Sequence, residues 1–267
     1  MNKKKIILGI GVVVLALLVI TVAVVTLKLD SLVKAGVETV GPQLTRTTLT
    51  LEEVKIGILS GSGALNGLVV GTPEGYKAEY TMKMGHASLA LQPGSLLSDK
   101  LVIKSLVVEG PEIILEGGLN ENNLTALQKN INEAVGATGT APAEGEAAGA
   151  QKKLQVDLFK LTGAKVHLRL AMLGGRNVTI PAPDIEFTDL GTGPDGITAG
   201  ELVKRTMNKL TTDVLAAAAK SVADLGKEVT DAASKAATDA IGGATKESTE
   251  AVGKATEGIK NLFKKQD

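Results

Sequence analysis

Close to its start, the chain has a long hydrophobic run that no charged residue interrupts. The stretch from Ile6 to Leu27 has no charged residue, and Lys3, Lys4 and Lys5 precede it directly. A bilayer hydrocarbon core of roughly 30 Å needs about 20 apolar helical residues, so the run predicts a transmembrane helix. By the positive-inside rule, the lysines predict a cytoplasmic N-terminus. A cleaved signal peptide typically has an apolar region of only about 7 to 15 residues, so an uncleaved signal anchor is favoured.

The period of the pattern then changes. Asp30 to Val40 has apolar residues on one helical side and ends at Gly41-Pro42, which predicts a short amphipathic helix. Beyond it, apolar and polar residues alternate, which is typical of half-buried strands. The alternating apolar positions are Val54, Ile56 and Ile58, then Ala78, Tyr80, Met82 and Met84, then Leu101, Ile103, Leu106 and Val108, and finally Ile113 and Leu115.

The alternation slips twice within these strands. Leu51 is an odd position whereas Val54 is even, and a second slip occurs at Gly85. An extra residue in one strand forms a β-bulge, which bends the strand and increases its twist. Gly-rich and Pro-rich turns separate the strands at the spacing of an antiparallel meander. We therefore predict an α+β fold, mainly β, built on a strongly curved antiparallel sheet shaped like a groove.

Later changes of composition divide the chain further. Asn120 to Val135 predicts a helix with Asn122 or Asn123 as its cap, and an Ala/Gly-rich linker follows it. A second block of alternating residues then extends the same sheet, before a helical tail. The predicted segments are the cytoplasmic tip and anchor (1–28), the N-terminal helix and sheet (29–135), the linker (136–151), the second strand block (152–197) and the tail (198–267).

The tail carries a repeat of eleven residues in its small and apolar positions. Such a period fits a long amphipathic, Ala-rich helix or coiled coil, although Gly242-Gly243 interrupts the stripe. A marginal helix or a disordered tail remains an equal alternative. At the end of the tail, Leu262 and Phe263 lie beside Lys264 and Lys265, which predicts a weak contact with a membrane surface.

Composition excludes several kinds of chemistry. Lys plus Arg and Asp plus Glu both number 29, so the zero net charge gives no electrostatic reason to expect nucleic acid as a partner. Cysteine is absent and only two histidines occur, His86 and His167, neither beside a set of metal ligands. The segment Gly191 to Gly196 fits G-x-G-x-x-G, but no strand is predicted after the following helix, so it is interpreted as a loop. We predict no enzyme activity, no metal and no cofactor.

The order of these elements resembles the N-terminal region of AsmA-like proteins. The resemblance rests on the anchor, the helix ending in Gly41-Pro42, Gly61-Ser62-Gly63, the run from Leu68 to Tyr76, Leu96 to Lys100 and the strand Ile103 to Leu115. It implies kinship with TamB and chorein-type bridge proteins, whose curved sheets form an apolar trough for phospholipids. It also implies a single-pass inner (cytoplasmic) membrane protein of the cell envelope whose bulk is periplasmic, with a role in outer membrane biogenesis. This chain has fewer strands than the large members.

Two functions from different classes follow. In the first, phospholipid acyl chains bind the apolar face of the sheet, for which the candidate residues are Val54, Ile56, Ile58, Met82, Met84, Leu101 and Ile103. In the second, the protein is a structural scaffold of the envelope whose apolar face is closed by the helices or by a partner, and its helical tail acts as a spacer. An envelope protein or a further copy of the chain, in a homo-oligomer, is the expected protein partner. The discriminator is how much helix covers the sheet, since an apolar strand face is usually a core.

Overall fold

A computed structural model describes residues 29–138 and 153–241 of the chain. The predicted span Ile6 to Leu27, most of the predicted linker and the predicted membrane contact at Leu262, Phe263, Lys264 and Lys265 lie outside these residues. The described elements are α1 (29–45), β1 (Leu49–Gly57), β2 (Ser62–Val70), β3 (Met82–Leu91), β4 (Lys100–Glu109), β5 (Glu112–Gly117), α2 (Asn123–Thr138), β6 (Lys153–Thr162), β7 (Lys165–Leu170), β8 (Val178–Pro181), β9 (Ile185–Leu190) and α3 (Ala199–Ile241). Short 3₁₀ turns cover Pro93–Leu97 and Ala171–Leu173.

All nine strands belong to one curved, half-barrel sheet, as the alternating pattern predicts. The second block of strands completes the same sheet as the first. The pairings of β4 with β6 and of β5 with β7 share one register, so β4–β5 and β6–β7 act as two long strands side by side. In the same way, β8–β9 follows β6–β7 in one continuous register.

The prediction that the sheet is wholly antiparallel is wrong. β4 and β5 run parallel to β6 and β7, while the other strand pairs are antiparallel. The physical reason is the connection between residues 117 and 153. This connection contains α2, and a crossover of this length returns the chain to the end of the sheet at which β4 began.

A crease crosses the sheet where the alternation slips. The register places Gly67 beside Gly85, Gly85 beside Gly110, Gly110 beside Gly163 and Gly163 beside Pro183. Three of these glycines have left-handed φ angles, 66° at Gly67, 57° at Gly110 and 64° at Gly163. Residues with a Cβ atom disfavour this conformation, and proline has no backbone N–H to donate to a neighbouring strand. The strands therefore bend at the same level. The row accounts for the slips in alternation at Leu51 to Val54 and at Gly85. The prediction of a β-bulge at these slips is wrong, because the β1–β2 and β2–β3 registers are unchanged across them, and the register shifts between Ala90 and Leu91 instead.

The first helix continues one turn past its predicted end. Gly41-Pro42 lies inside α1, which ends at Thr45 rather than at Val40. The Thr45 hydroxyl donates to the Gly41 carbonyl at 2.9 Å, and the Arg46 amide donates to the Pro42 carbonyl at 2.8 Å. These bonds satisfy carbonyl groups at a helix end, so the proline does not stop the helix at that point.

The second helix is fixed to the sheet through its buried N-terminus. The Asn122 side chain accepts from the Thr125 amide at 2.9 Å, so Asn122 is the cap and α2 begins at Asn123. Asn123 is fully buried, and its amide nitrogen donates to the Ile114 carbonyl at 2.8 Å while its oxygen accepts from the Glu116 amide at 2.9 Å. One asparagine therefore joins the first turn of α2 to β5.

The third helix is capped by Thr198, the first residue of the predicted tail. Thr198 Oγ1 accepts from the Glu201 amide at 3.0 Å, and the helix runs from Ala199 to Ile241. Its first turns, up to Val214, belong to the compact unit that holds the sheet, and the following residues belong to a second unit. A long C-terminal helix is thus confirmed as far as Ile241.

The predicted localisation requires a correction. Within residues 29–138 and 153–241, no helix combines the length and the hydrophobicity that crossing a bilayer demands. α1 carries Asp30, Lys34 and Glu38, and α3 has charged residues along its length, so both are amphipathic. This finding contradicts a single-pass inner-membrane protein, and we withdraw that localisation.

Candidate functional site

The sheet has one apolar face, assembled row by row by strand pairing. On one side of the crease, Leu65, Ala87, Val108, Leu161 and Ile185 lie opposite one another along a single row. The adjoining row consists of Ile56, Gly63, Leu89, Leu106, Phe159 and Phe187. The intervening residues on the same strands are mostly polar and point to the opposite face, because side chains alternate along a strand.

Beyond the crease, most of the apolar face is buried. Ile113, Val166 and Ile180 form one row of this part and are at most 8% exposed. α2, which contacts β5, buries its own apolar stripe completely, and the first turns of α3 bury theirs. The buried helical residues are Leu124, Leu127, Ile131 and Val135 of α2, and Leu202, Met207, Leu210 and Val214 of α3.

Near the middle of the sheet, large apolar side chains remain half-buried. We call Leu65, Leu89, Leu106, Val108 and Phe187 the half-buried strip. Leu89 lies opposite Leu106, and Phe187 follows in the same row beside Phe159, with the two rings 6.0 Å apart. From β2 to β9 the strip crosses five strands, so at about 4.8 Å spacing it reaches roughly 19 Å across the sheet. It is the part of the apolar face that best fits an elongated apolar ligand.

The seven predicted lipid-facing residues divide into two groups. Val54, Ile56, Met84 and Ile103 are buried, each at most 7% exposed. The other three, Ile58, Met82 and Leu101, are half-buried. Ile58 belongs to the turn after β1, because the strand ends at Gly57 and Gly61, with a φ of 65°, closes the hairpin. The seven do not form one surface.

None of the five residues of the half-buried strip was among the predicted lipid-facing residues. Leu65 lies in a stretch rich in Gly, Ala and Asn, and Phe187 lies in the last strand, so neither entered the list of candidates. Leu106 and Val108 belong to the alternating apolar positions of the sequence, but that alternation does not indicate that they stay partly exposed. The available signal was the slip at Gly85, which shifts the inward positions of β3 to Ala87 and Leu89.

The polar face carries ion pairs rather than a reactive cluster. Lys104 Nζ lies 2.9 Å from Asp157 Oδ2, and Gln155 donates to the same carboxylate at 2.8 Å. The hydrogen bond from Gln155 and then that from Lys104 lower the pKa of Asp157. Tyr80 donates to Glu112 at 3.2 Å, and its burial, followed by that hydrogen bond, raises its pKa. These bonds link neighbouring strands or the preceding loop to the sheet.

The remaining polar candidates have structural partners. His86 Nδ1 lies 2.7 Å from Asn66 Oδ1, and His167 Nδ1 lies 2.9 Å from Thr179 Oγ1, both across strand pairs. Glu53 contacts Lys55 at 2.9 Å, and hydrogen bonds from Lys55 and then from Asn66 lower the pKa of its carboxyl group. In the part of the chain that the structure covers, no group of His, Cys, Asp and Glu side chains forms a metal site.

The structure places two kinds of short sequence motif. Gly191 to Gly196 forms the loop between β9 and α3, with left-handed φ angles at both end glycines. The glycosylation pattern Asn-x-Ser/Thr occurs at Asn123 and at Asn177. Asn123 is the buried residue that joins α2 to β5, whereas Asn177 is exposed.

Comparison of the chain with family models, with curated proteins and with solved structures finds no match. The AsmA-like resemblance therefore stays a prediction from the sequence.

Proposed function

We propose that this chain is a non-enzymatic lipid-binding protein that holds acyl chains against the half-buried strip, as the AsmA-like resemblance implies. The observation that supports the proposal is the strip itself. Strand pairing brings five large apolar side chains together, yet leaves all of them partly accessible. Contact with an acyl chain would remove this apolar surface from water, at about 0.8 kcal/mol for each methylene group buried.

The surroundings of the strip favour a neutral hydrocarbon over a charged ligand. The strip and its adjoining rows contain no charged residue. A charged ligand would lose its hydration without gaining a partner, which costs several kcal/mol. The charged residues of the same strands, such as Lys104 and Asp157, pair with each other. A lipid would therefore place its chains on the strip and leave its headgroup in solvent.

The test is to fill the strip without introducing a charge. In Leu106→Trp, the larger side chain occupies the space that an acyl chain would take. The matched control is Val107→Trp, because Val107 is the next residue of β4, is also half-buried and points to the opposite face. Lipid retained through purification is measured by native mass spectrometry, and affinity by titration with a fluorescent polyene fatty acid.

We expect Leu106→Trp to weaken fatty-acid binding at least about tenfold, equivalent to 1.4 kcal/mol, and Val107→Trp to leave it unchanged. Circular dichroism and thermal melts of both variants check that added volume has not disrupted the fold, since overpacking commonly costs about 1–3 kcal/mol. Equal binding by both folded variants, or no binding by the unaltered chain, contradicts the proposal.

A second candidate function is that of a structural scaffold with a closed apolar face. The observation that favours it is the burial of Val54, Ile56, Met84 and Ile103, which protein atoms already cover. In this case the half-buried strip is the margin of an ordinary core. The unaltered chain would then purify without lipid and would not bind the fatty-acid probe.

A further inference from the structure

β1 lies at one edge of the sheet, and α1 covers the hydrogen-bonding groups that this edge would otherwise present. Three charged side chains, spaced one helical turn apart, reach backbone atoms of the strand. The contacts are Asp30 Oδ1 with the Ile56 amide at 2.9 Å, Lys34 Nζ with the Glu52 carbonyl at 2.9 Å, and Glu38 Oε1 with the Leu51 amide at 3.0 Å. We call these three contacts the clasp.

The described part of α1 has few buried residues. From residue 29, where this part begins, to residue 43, side chains are half-buried or exposed, and Leu32 is 65% exposed. The first buried residues are Leu44 and Thr45, at the C-terminal end. Release of residues 29–43 from the strand therefore exposes no fully buried side chain of the helix.

The opposite edge of the sheet is less able to accept a strand. The Ala182 amide donates inward to the Ala164 carbonyl at 2.9 Å, so the backbone nitrogens of residues 181 and 183 face outward. Both are prolines and have no N–H to donate, which is a common protection of sheet edges. Further along this edge, Asp189 has a φ of 56°, which interrupts the extended backbone. β1 presents N–H donors to its free edge where the opposite edge has two prolines, so β1 is the better suited of the two to accept a strand.

The sequence of β1 is complementary to itself in one antiparallel register. Pairing two copies about Val54 places Ile56 of one copy opposite Glu52 of the other, and Lys55 opposite Glu53. The Ile56 amide and the Glu52 carbonyl already point to the free edge, since the clasp holds these two groups. Lys55 and Glu53 side chains lie on the polar face and attract each other, as their 2.9 Å contact within one strand illustrates. Opposite charges at facing positions favour such a pair.

We propose that β1 is a self-association edge that α1 keeps closed. When the clasp is released, two copies of this chain pair antiparallel through β1, centred on Val54. The paired strands continue one sheet into the next. The occupant is a second copy because the register satisfies the Ile56 amide, the Glu52 carbonyl and the charges of Glu53 and Lys55 with the strand's own sequence.

The first test releases the clasp by combining Asp30→Ala, Lys34→Ala and Glu38→Ala in the full chain. Light scattering should give a monomer for the unaltered chain and a dimer for the triple variant. Adding Lys55→Glu should return the triple variant to a monomer, because it places Glu opposite Glu. Adding Glu53→Lys to that variant should restore the dimer, since the facing charges are again opposite. A folded triple variant that stays monomeric, or a dimer indifferent to Lys55→Glu, overturns the proposal.

The second test uses the absence of cysteine from the chain. Glu53→Cys and Lys55→Cys are introduced on separate copies with different tags, which are mixed and oxidised. Facing residues that do not share hydrogen bonds in an antiparallel pair have Cα atoms about 4.5 Å apart, within the range of a disulfide. The mixture should cross-link much faster than either copy alone, and faster than Thr50→Cys mixed with Lys55→Cys.

This measurement also works if the triple variant fails to fold, because transient release of α1 in the otherwise unaltered chain traps the same disulfide slowly. Equal cross-linking in the mixture and in the control pair would show that the contacts are random, and it would overturn the proposed register.

Discussion

Asn123 offers the sharpest test of how the sheet and α2 are held together. The residue is fully buried, and its side chain bonds the Ile114 carbonyl, the Glu116 amide and, at 3.3 Å, the Thr81 hydroxyl. Asn123→Ala removes all three bonds and leaves a backbone donor and a backbone acceptor of β5 without this partner. Each buried group left unsatisfied costs about 1–3 kcal/mol, so the loss should be about 2–6 kcal/mol.

Such a loss is a large part of the 5–15 kcal/mol that typically stabilises a domain. With a urea m-value of about 2 kcal/mol/M, the unfolding midpoint should fall by roughly 1–3 M. The chain has no Trp and two Tyr. Tyr76 lies beside Gly117 and Tyr80 donates to Glu112, so tyrosine fluorescence reports on the region that Asn123 holds. The matched control is Asn177→Ala, an exposed asparagine whose loss should leave the midpoint within experimental error. A midpoint shift for Asn123→Ala no larger than that of the control would refute the reasoning.

Two further predictions concern the crease and the polar face. Gly110→Ala should lower the free energy of unfolding by about 1–2 kcal/mol, because the φ angle of Gly110 is 57°. Gly85→Ala should not, because Gly85 has no left-handed φ and the position of an added Cβ is open. Equal melting temperatures for the two variants would contradict this prediction. Because hydrogen bonds lower the pKa of Asp157 in the fold, its stabilising contribution is present above about pH 4 and is lost as the pH falls through the lowered value. Asp157→Asn should therefore be less stable than the unaltered chain at neutral pH and converge with it in acid, as followed by denaturant titrations. A difference in unfolding free energy between the two proteins that stays constant from neutral to acid pH would contradict this prediction.

The local elements were largely predictable. The alternation at Val54 and Ile56 predicts a strand, because the chemistry of one strand determines which of its faces is apolar. The slip near Gly85 predicts a bulge, whereas the structure has a crease of aligned glycines there and no change of register. The cap of α3 at Thr198 can also be predicted from the sequence, since a capping box depends on residues three positions apart. The end of α1 cannot, because hydrogen bonds from Thr45 and Arg46 carry the helix past Pro42.

The candidate site was predicted only in part. Periodicity identifies the apolar face but not the portion that other elements cover, so Met84 and Ile103 were chosen although they are buried. The half-buried strip depends on where α2 and α3 lie. Leu89 and Phe187, which belong to one row of the folded sheet, are far apart in sequence.

By itself, the sequence determined that the described chain is a curved sheet with an apolar face, a helix fixed by an asparagine cap and a long final helix. These features depend on contacts between near neighbours and on the period of two or about 3.6 residues. Only the tertiary structure decided that β4 and β5 run parallel to β6 and β7, that glycines of separate strands align in one crease, and that α1 covers the edge of β1. Each depends on residues distant along the chain, whose direction and register are selected by packing of the whole sheet rather than by local preference.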